Sequence, residues 1–220
     1  GIFVMFQRFS NVEGFTYSQV LLCFSIMLLE FSLAEMFARG FDSFSSLVRS
    51  GEFDRILVRP QNEILQVLGS RFELTRAGRL LQAVVMFVYG ISESEIAWDP
   101  LKILTVIFML IGGIAVFTGL FMIYAGLCFF TLDGLEFMNI FTDGAREFGK
   151  YPMGVYGKKI LLFSIFIVPY AWIQYYPFLY LLGQRDSVWF VVLPLGACWF
   201  LIPAWLLWRT GVKRYQSSGS

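Results

Sequence analysis

Five charged side chains between positions 49 and 60 carry the clearest chemistry in this sequence. They are Arg49, Glu52, Asp54, Arg55 and Arg59, and they are interleaved with apolar residues at helical spacings. Exposed charges of both signs give orientation and register to a reversible contact between proteins. The pattern therefore predicts a charged docking helix for a peripheral partner. A helix that only anchors a loop at the membrane surface is the alternative.

Glu30 is the second residue whose type points to a role, because it lies inside an apolar run from Tyr17 to Phe37. An ionised carboxylate facing lipid is costly, so Glu30 is expected to face protein or a wet cavity. Two interpretations stay open. It is a polar contact in a substrate path or at a subunit interface, or it is a protonated packing residue bonded to Ser32 or a partner chain.

A phosphate-binding loop is suggested by residues 144–150, which fit the pattern G-x-x-x-x-G-K. The next residue is Tyr151, so the Ser or Thr that would hold Mg²⁺ is missing, and no strand is predicted before it. The chain has no histidine, and its three cysteines lie in separate apolar runs. We therefore predict no catalytic residue, no metal site and no ATP hydrolysis by this chain.

Composition sets the class of protein that carries these residues. Hydrophobic residues make up 57% of the 220 and charged residues 15%, against roughly 45–50% and about 25% in soluble domains. This composition predicts an integral membrane protein. The net charge of +1 gives no reason to expect a nucleic-acid partner.

Apolar runs of membrane length must position the charged segments. A helical crossing needs about 20 mostly apolar residues, and the runs that come near this length are 17–38, 75–91, 101–130, 160–182 and 188–208. Pro169 and Pro177 predict a break after about Tyr170 with a short helix through Leu182. Gly112-Gly113 marks either a bend or part of one long span. Residues 1–6 are interpreted as the outer end of a helix whose beginning is missing, which predicts six spans in the intact subunit.

Positive charge orients these spans. Fourteen of the 17 Lys and Arg residues fall on one side, and only Arg8, Lys102 and Arg185 fall on the other. Positive residues concentrate in cytoplasmic loops. We therefore predict that the region 41–73, the loop 131–159 and the tail 209–220 are cytosolic.

Four ordered segments resemble one known family. Residues 47–60, LVRSGEFDRILVRP, are similar to the IRxGxxDxxLxRP signature of ATP-binding-cassette (ABC) type-2 permeases, in the subfamily of short membrane subunits encoded beside a separate ATPase. Residues 148–156 resemble its YP element, residues 175–183 its YYP…YLLG element, and residues 214–220 its C-terminal RYQSxG. The resemblance covers the chain from about Phe41 to its end. It implies an all-α, six-span permease fold whose first span is largely absent from this chain.

The resemblance also implies a mechanism and partners. Two permease subunits, identical or homologous, would form a path across the membrane above two ABC ATPase subunits, which bind the ATP and Mg²⁺. The loop after the second span would supply a coupling helix, with the loop 131–159 as a weaker contact. Carried onto this chain, the coupling residues are Arg49, Gly51, Glu52, Asp54, Arg55, Leu57, Arg59 and Pro60.

Further expectations follow from the same resemblance. The chain would reside in a bacterial or archaeal cell membrane, among lipid, and export an amphipathic or lipid-like substrate. The short helices after Pro169 would cap the outer end of the path, with Trp172, Tyr175 and Tyr176 as an outer gate. A secondary transporter or channel that ATP does not drive is the alternative, although such a protein would not need the docking segment.

Overall fold

The computed structural model describes residues 14–71, 77–131 and 136–215, and within these ranges the chain is helical with no β-strand. This confirms the predicted all-α class. The predicted helix end at residues 1–6 and the tail beyond Tyr215 lie outside the described residues.

We number the α-helices in chain order. They are α1 (Tyr17–Asp42), α2 (Phe44–Arg49), α3 (Glu52–Val58), α4 (Glu63–Ser70), α5 (Ala77–Glu93), α6 (Pro100–Thr131), α7 (Asp143–Phe148), α8 (Lys158–Phe166), α9 (Tyr176–Leu181), α10 (Trp189–Gly196) and α11 (Leu201–Arg214). Short 3₁₀ segments lie at Glu136–Ile140, Met153–Tyr156 and Ala197–Phe200, and a π-helical turn lies at Ala171–Tyr175.

Three helical segments are long and apolar enough to cross a membrane: Tyr17–Arg49, Pro100–Thr131 and Trp189–Arg214. The bent pair Lys158–Phe166 and Ala171–Leu181 makes a fourth if its two pieces are counted as one span. Helix α5 has 17 residues, so it covers about 26 Å, slightly less than the roughly 30 Å of the hydrocarbon core. The chain is therefore a multi-pass membrane protein.

Helix α1 is the centre of the bundle. It begins where the Thr16 side chain accepts a hydrogen bond from the Gln19 backbone N–H and the Gln19 side chain accepts one from the Thr16 N–H, a reciprocal cap that satisfies two free donors. The helix then packs against α5 and α6 along its length. Because neighbours surround it, polar residues such as Ser25 and Glu30 are buried within it as well as apolar ones.

Helix α6 runs unbroken through Gly112-Gly113, and the two glycines serve close packing rather than a bend. A Cβ added at Gly112 would lie 2.3 Å from the backbone oxygen of Pro194 in α10. A Cβ added at Gly113 would lie 2.2 Å from the carboxyl carbon of Glu30 in α1. Only glycine lets α6 approach both neighbours this closely.

The segment after the second long connection is broken near its middle. Helix α8 ends at Phe166, and the helical turn that resumes at Ala171 is bent from it by 98°. Pro169 lies in the gap and cannot donate a helical hydrogen bond, which is the physical cause of the break. Pro177 falls in the first turn of α9, where a missing N–H costs little.

The connection between α6 and α8 packs along the middle of α1. The Arg146 guanidinium lies 5.3 Å from the centre of the Phe31 ring, and a Cβ on Gly149 would lie 2.5 Å from the Met27 side chain. The Gln174 side-chain amide donates to the Gly149 carbonyl over 3.0 Å. In the structure, α7 and the residues after it are therefore part of the bundle wall.

Candidate functional site

Helices α2 and α3 form a bent pair at one end of the bundle. They are joined through Gly51, whose φ of +70° lies in the left-handed region. A Cβ added at Gly51 would meet nothing within 4 Å. The requirement for glycine is therefore the backbone conformation and not a shortage of space.

Helix α3 has two distinct faces. Phe53 and Ile56 are buried in the bundle, whereas Glu52, Arg55 and Leu57 are exposed. Val58 at its end is 86% exposed. Helix α3 has 7 residues and is amphipathic. Its charged face is exposed and therefore accessible to a partner outside the bundle.

A polar groove of about 490 Å³ separates α3 from α4. Glu52, Arg55 and Arg59 line one side, and Gln66 of α4 lines the other. The Gln66 amide donates to the carbonyls of Ile56 and Gln61, each over 3.1 Å. These bonds hold α4 against the end of α3 and fix the shape of the groove.

Pro60 determines how α3 ends. Arg59 has φ −78° and ψ 139°, the extended conformation that a following proline imposes. Its side chain is exposed and reaches the groove. Arg49, at the end of α2, is exposed as well.

The structure therefore brings three of the predicted coupling residues, Glu52, Arg55 and Arg59, to one groove. Arg49, Leu57 and Pro60 are also exposed, and Gly51 forms the joint between α2 and α3. Asp54 differs, because it is half-buried and lies beside the Tyr215 hydroxyl. Burial raises the pKa of that hydroxyl to about 12, and the neighbouring Asp54 carboxylate adds to the rise.

Beneath α3 lies a group of six rings that the sequence did not single out. We call it the aromatic cluster, and its members are Phe41, Phe44, Phe53, Phe129, Trp208 and Tyr215. Phe53 is the member from α3, and its ring centre lies 4.9 Å from that of Phe44 and 5.2 Å from that of Tyr215. Phe53 and Tyr215 each lie in a motif singled out above, but no local pattern indicated that the six rings meet.

Glu30 lies 12 residues before the end of α1 and is fully buried. Neither of its carboxyl oxygens has a hydrogen-bond partner among the described residues, and the same is true of the Ser32 hydroxyl. The predicted bond from Glu30 to Ser32 is therefore not formed within the chain. The carboxyl group instead fills the space left by Gly113.

Glu35 lies five residues further along and is ion-paired. Its Oε2 is 2.5 Å from Nη1 of Arg79 in α5, and its Oε1 is 3.6 Å from Nη1 of Arg39. The contact with Arg39 is a local one between positions i and i+4 of α1, whereas the closer contact with Arg79 joins α1 to α5. Arg79 also lies 5.6 Å from the Phe31 ring centre.

The predicted gate residues lie at the π-helical turn and the start of α9. Tyr175 and Tyr176 form an edge-to-face pair with ring centres 5.3 Å apart. Tyr176 also stacks on Phe190 of α10 at 5.4 Å. Trp172 faces Gly196 at the other end of α10, where an added Cβ would lie 3.5 Å from the indole. Tyr176 and Trp172 thus join this segment to α10, whereas the Tyr175 side chain lies against Gly154.

Taken together, the described residues form an apolar helical bundle of membrane length with an exposed charged helix pair at one end, which is the architecture of a multi-pass membrane protein. Comparison with protein-family models gives the family: the model described as ABC-2 family transporter protein matches residues 1–219. The chain belongs to this family, which confirms the resemblance drawn from the four motifs. No curated protein and no solved structure matches the chain.

Membership makes the chain a permease subunit of an ABC transporter, the membrane component that associates with ABC ATPase subunits.

Proposed function

We propose that this chain is the membrane-spanning permease of an ATP-driven exporter, that it forms the path with a second permease subunit, and that α3 couples it to two ATPase subunits. The proposal rests on one observation: the charged face of α3 is exposed, while its opposite face is packed into the bundle. Glu52, Arg55 and Arg59 make no contribution to the core, whereas Phe53 and Ile56 on the opposite face are buried in it.

The groove between α3 and α4 supports the same role. It offers two arginines and one glutamate to a partner. Exposed charged contacts set orientation and the rate of association more than affinity. These properties suit a contact that must form again in every transport cycle.

The conformation of residues 144–150 supports ATP hydrolysis on the partner rather than on this chain. Most of this segment is helix α7, not a loop that could wrap a phosphate. Its cations are engaged locally, because Arg146 pairs with Asp143 at 3.4 Å and Lys150 pairs with Glu147. Phosphate loops use free backbone N–H groups and a free lysine.

Glu30 stays in the proposal as a residue of the path. Its carboxyl group lies at the contact of α1 with α6, without a hydrogen bond from any described residue. A small separation of these two helices would expose it to a substrate or to water. We propose that it becomes accessible in that state, and that Trp172, Tyr175 and Tyr176 form the outer gate.

Two measurements on the permease made together with its ATPase test the proposal. Val58→Cys should react with a membrane-impermeant thiol reagent only from the cytosolic side, after the native cysteines have been replaced. Charge reversal at Arg55 and Arg59 should weaken co-purification of the ATPase at least about tenfold. Reversal at exposed Arg185 is the matched control and should leave it unchanged.

Labelling of position 58 from the outside would contradict the proposal. So would a transport-active permease that co-purifies with no ATP-hydrolysing subunit, which would favour a channel or secondary transporter.

A further inference from the structure

The aromatic cluster joins five helices at the end of the bundle that contains α3. Phe41 is at the end of α1, Phe44 is in α2, Phe53 in α3 and Phe129 at the end of α6. Trp208 lies in α11, and Tyr215 follows it. Nine pairs of these rings have centres between 4.9 and 6.0 Å apart, nearly all of them edge to face.

Trp208 is the hub of the cluster. It is fully buried, and its ring centre lies 5.1 Å from that of Phe41 and 5.0 Å from that of Phe44. Phe129 reaches the same place because residue 211 is glycine: a Cβ there would lie 2.3 Å from the Phe129 ring. Helices α1, α6 and α11 are therefore held together at this end by aromatic side chains that pack edge to face.

Tyr215 closes the cluster from the side of the tail. Its ring centre lies 5.2 Å from that of Phe53 and 5.7 Å from that of Phe129. Its hydroxyl lies beside Asp54, the next residue of α3. Tyr215 thus contacts α3 through its ring.

These contacts lie on the face of α3 opposite to the proposed docking surface. Phe53 is fully buried, whereas Glu52 and Arg55 on either side of it are exposed. A partner bound to the exposed face would therefore not touch the Tyr215 ring. Tyr215 can influence coupling only by holding α3 in place.

We propose that Tyr215 is a positioning residue, which joins α3 to α6 and α11 so that they move as one body when the ATPase moves α3. This inference rests on the proposed coupling function of α3. Without the Tyr215 ring, Phe53 would keep its contacts with Phe44, Phe129 and Trp208 but lose the fourth. Helix α3 would then be held less rigidly, and part of its displacement would be lost as local tilting.

The complex of permease and ATPase, reconstituted in liposomes, tests the proposal with two variants. Tyr215→Ala removes the ring, and Tyr215→Phe keeps it. The control is Trp189→Ala, which removes a large ring that is 80% exposed at the start of α10. Spin labels at exposed positions 58 and 213 report the distance between α3 and α11.

We expect Tyr215→Ala to bind the ATPase as the unmodified protein does, yet to transport at least about fivefold less substrate per ATP hydrolysed. Tyr215→Phe should restore most of the loss, and Trp189→Ala should cause none. The distance between the labels should be narrowly distributed and independent of nucleotide in the unmodified protein. In Tyr215→Ala it should broaden and change with nucleotide.

Two results would overturn the inference. One is loss of ATPase binding in Tyr215→Ala, because Tyr215 would then belong to the docking surface. The other is an unchanged label distribution in that variant. The label distance can be measured on the permease alone, so this test remains valid even if no ATPase binds and the proposed function itself fails.

Discussion

Glu35 of α1 and Arg79 of α5 form a buried ion pair, with Oε2 and Nη1 2.5 Å apart. The carboxylate side chain is 5% exposed and the guanidinium 26%, so water screens the pair only partly. It ties the first turn of α5 to α1. Helix α5, with 17 residues, is shorter than the three segments that are long enough to cross a membrane, so this pair fixes a helix whose apolar length alone is marginal.

We predict that Glu35→Gln destabilises the protein by roughly 3 kcal/mol, because it leaves Arg79 without its main partner. The double variant Glu35→Gln with Arg79→Gln should be less harmful than the sum of the two single variants. The check is the thermal unfolding midpoint in detergent for the four proteins of this double-mutant cycle. Additive effects would mean that the two side chains do not interact.

Gly113 gives a second prediction. An alanine Cβ there would overlap the Glu30 carboxyl group, and overpacking of a filled interior costs about 1–3 kcal/mol. Gly113→Ala should therefore lower the unfolding midpoint, and adding Glu30→Ala should restore most of it. Gly78→Ala is the control, since a Cβ at Gly78 meets nothing within 4 Å. Equal effects at the two glycines would contradict the packing assigned to Glu30.

Gly51 should be sensitive for a different reason. Its φ of +70° costs most L residues about 1–2 kcal/mol, while Asn tolerates this region better. We predict that Gly51→Ala lowers ATPase stimulation by the permease several-fold and that Gly51→Asn lowers it less. Gly78→Ala in α5 serves as the control, because it is in an ordinary helix away from the groove, with open space around it. An identical response to Ala and Asn would exclude the backbone explanation.

The charged helix α3 was predictable because its signals are local. Gly51, Pro60 and the alternation of charged with apolar residues all lie within a dozen positions. The aromatic cluster was not predictable, since Phe53 and Tyr215 meet across 162 positions of chain. The residues around Phe53 and those around Tyr215 contain no local pattern that indicates this contact.

The packing of α7 was not predictable from the sequence. Residues 143–150 contain two cations and two anions, and they lie in the loop 131–159 that the positive-charge count predicts to be cytosolic. In the structure α7 packs beside the middle of α1. Its charges pair with one another, since Arg146 contacts both Asp143 and Glu147, which lowers the cost of placing them against the bundle. Pairing of this kind depends on helix geometry that a count of charges omits.

The aromatic residues after the broken helix yield a prediction about the gate. Tyr176 stacks on Phe190, whereas Trp172 lies against Gly196 at the other end of α10. We predict that Tyr176→Ala raises ATP hydrolysis without substrate and lowers transport, because the stack closes the end of the path. Trp189→Ala, at an exposed neighbour, should alter neither rate. Unchanged coupling in alanine variants of all three gate residues would reject the gate.

Titration of Tyr215 provides the last prediction. Its pKa is raised from 10 to about 12 by burial and by Asp54, so the folded protein holds the proton more tightly than the unfolded chain does. The stabilisation is fully present below pH 10 and declines as the pH rises toward 12. The difference in tyrosinate absorbance between the unmodified protein and Tyr215→Phe should therefore have its midpoint near 12. Replacing Asp54 with Asn should lower that midpoint, because it removes the neighbouring negative charge and leaves burial as the remaining cause. A midpoint near 10 in the unmodified protein would mean that Tyr215 does not close the aromatic cluster in solution.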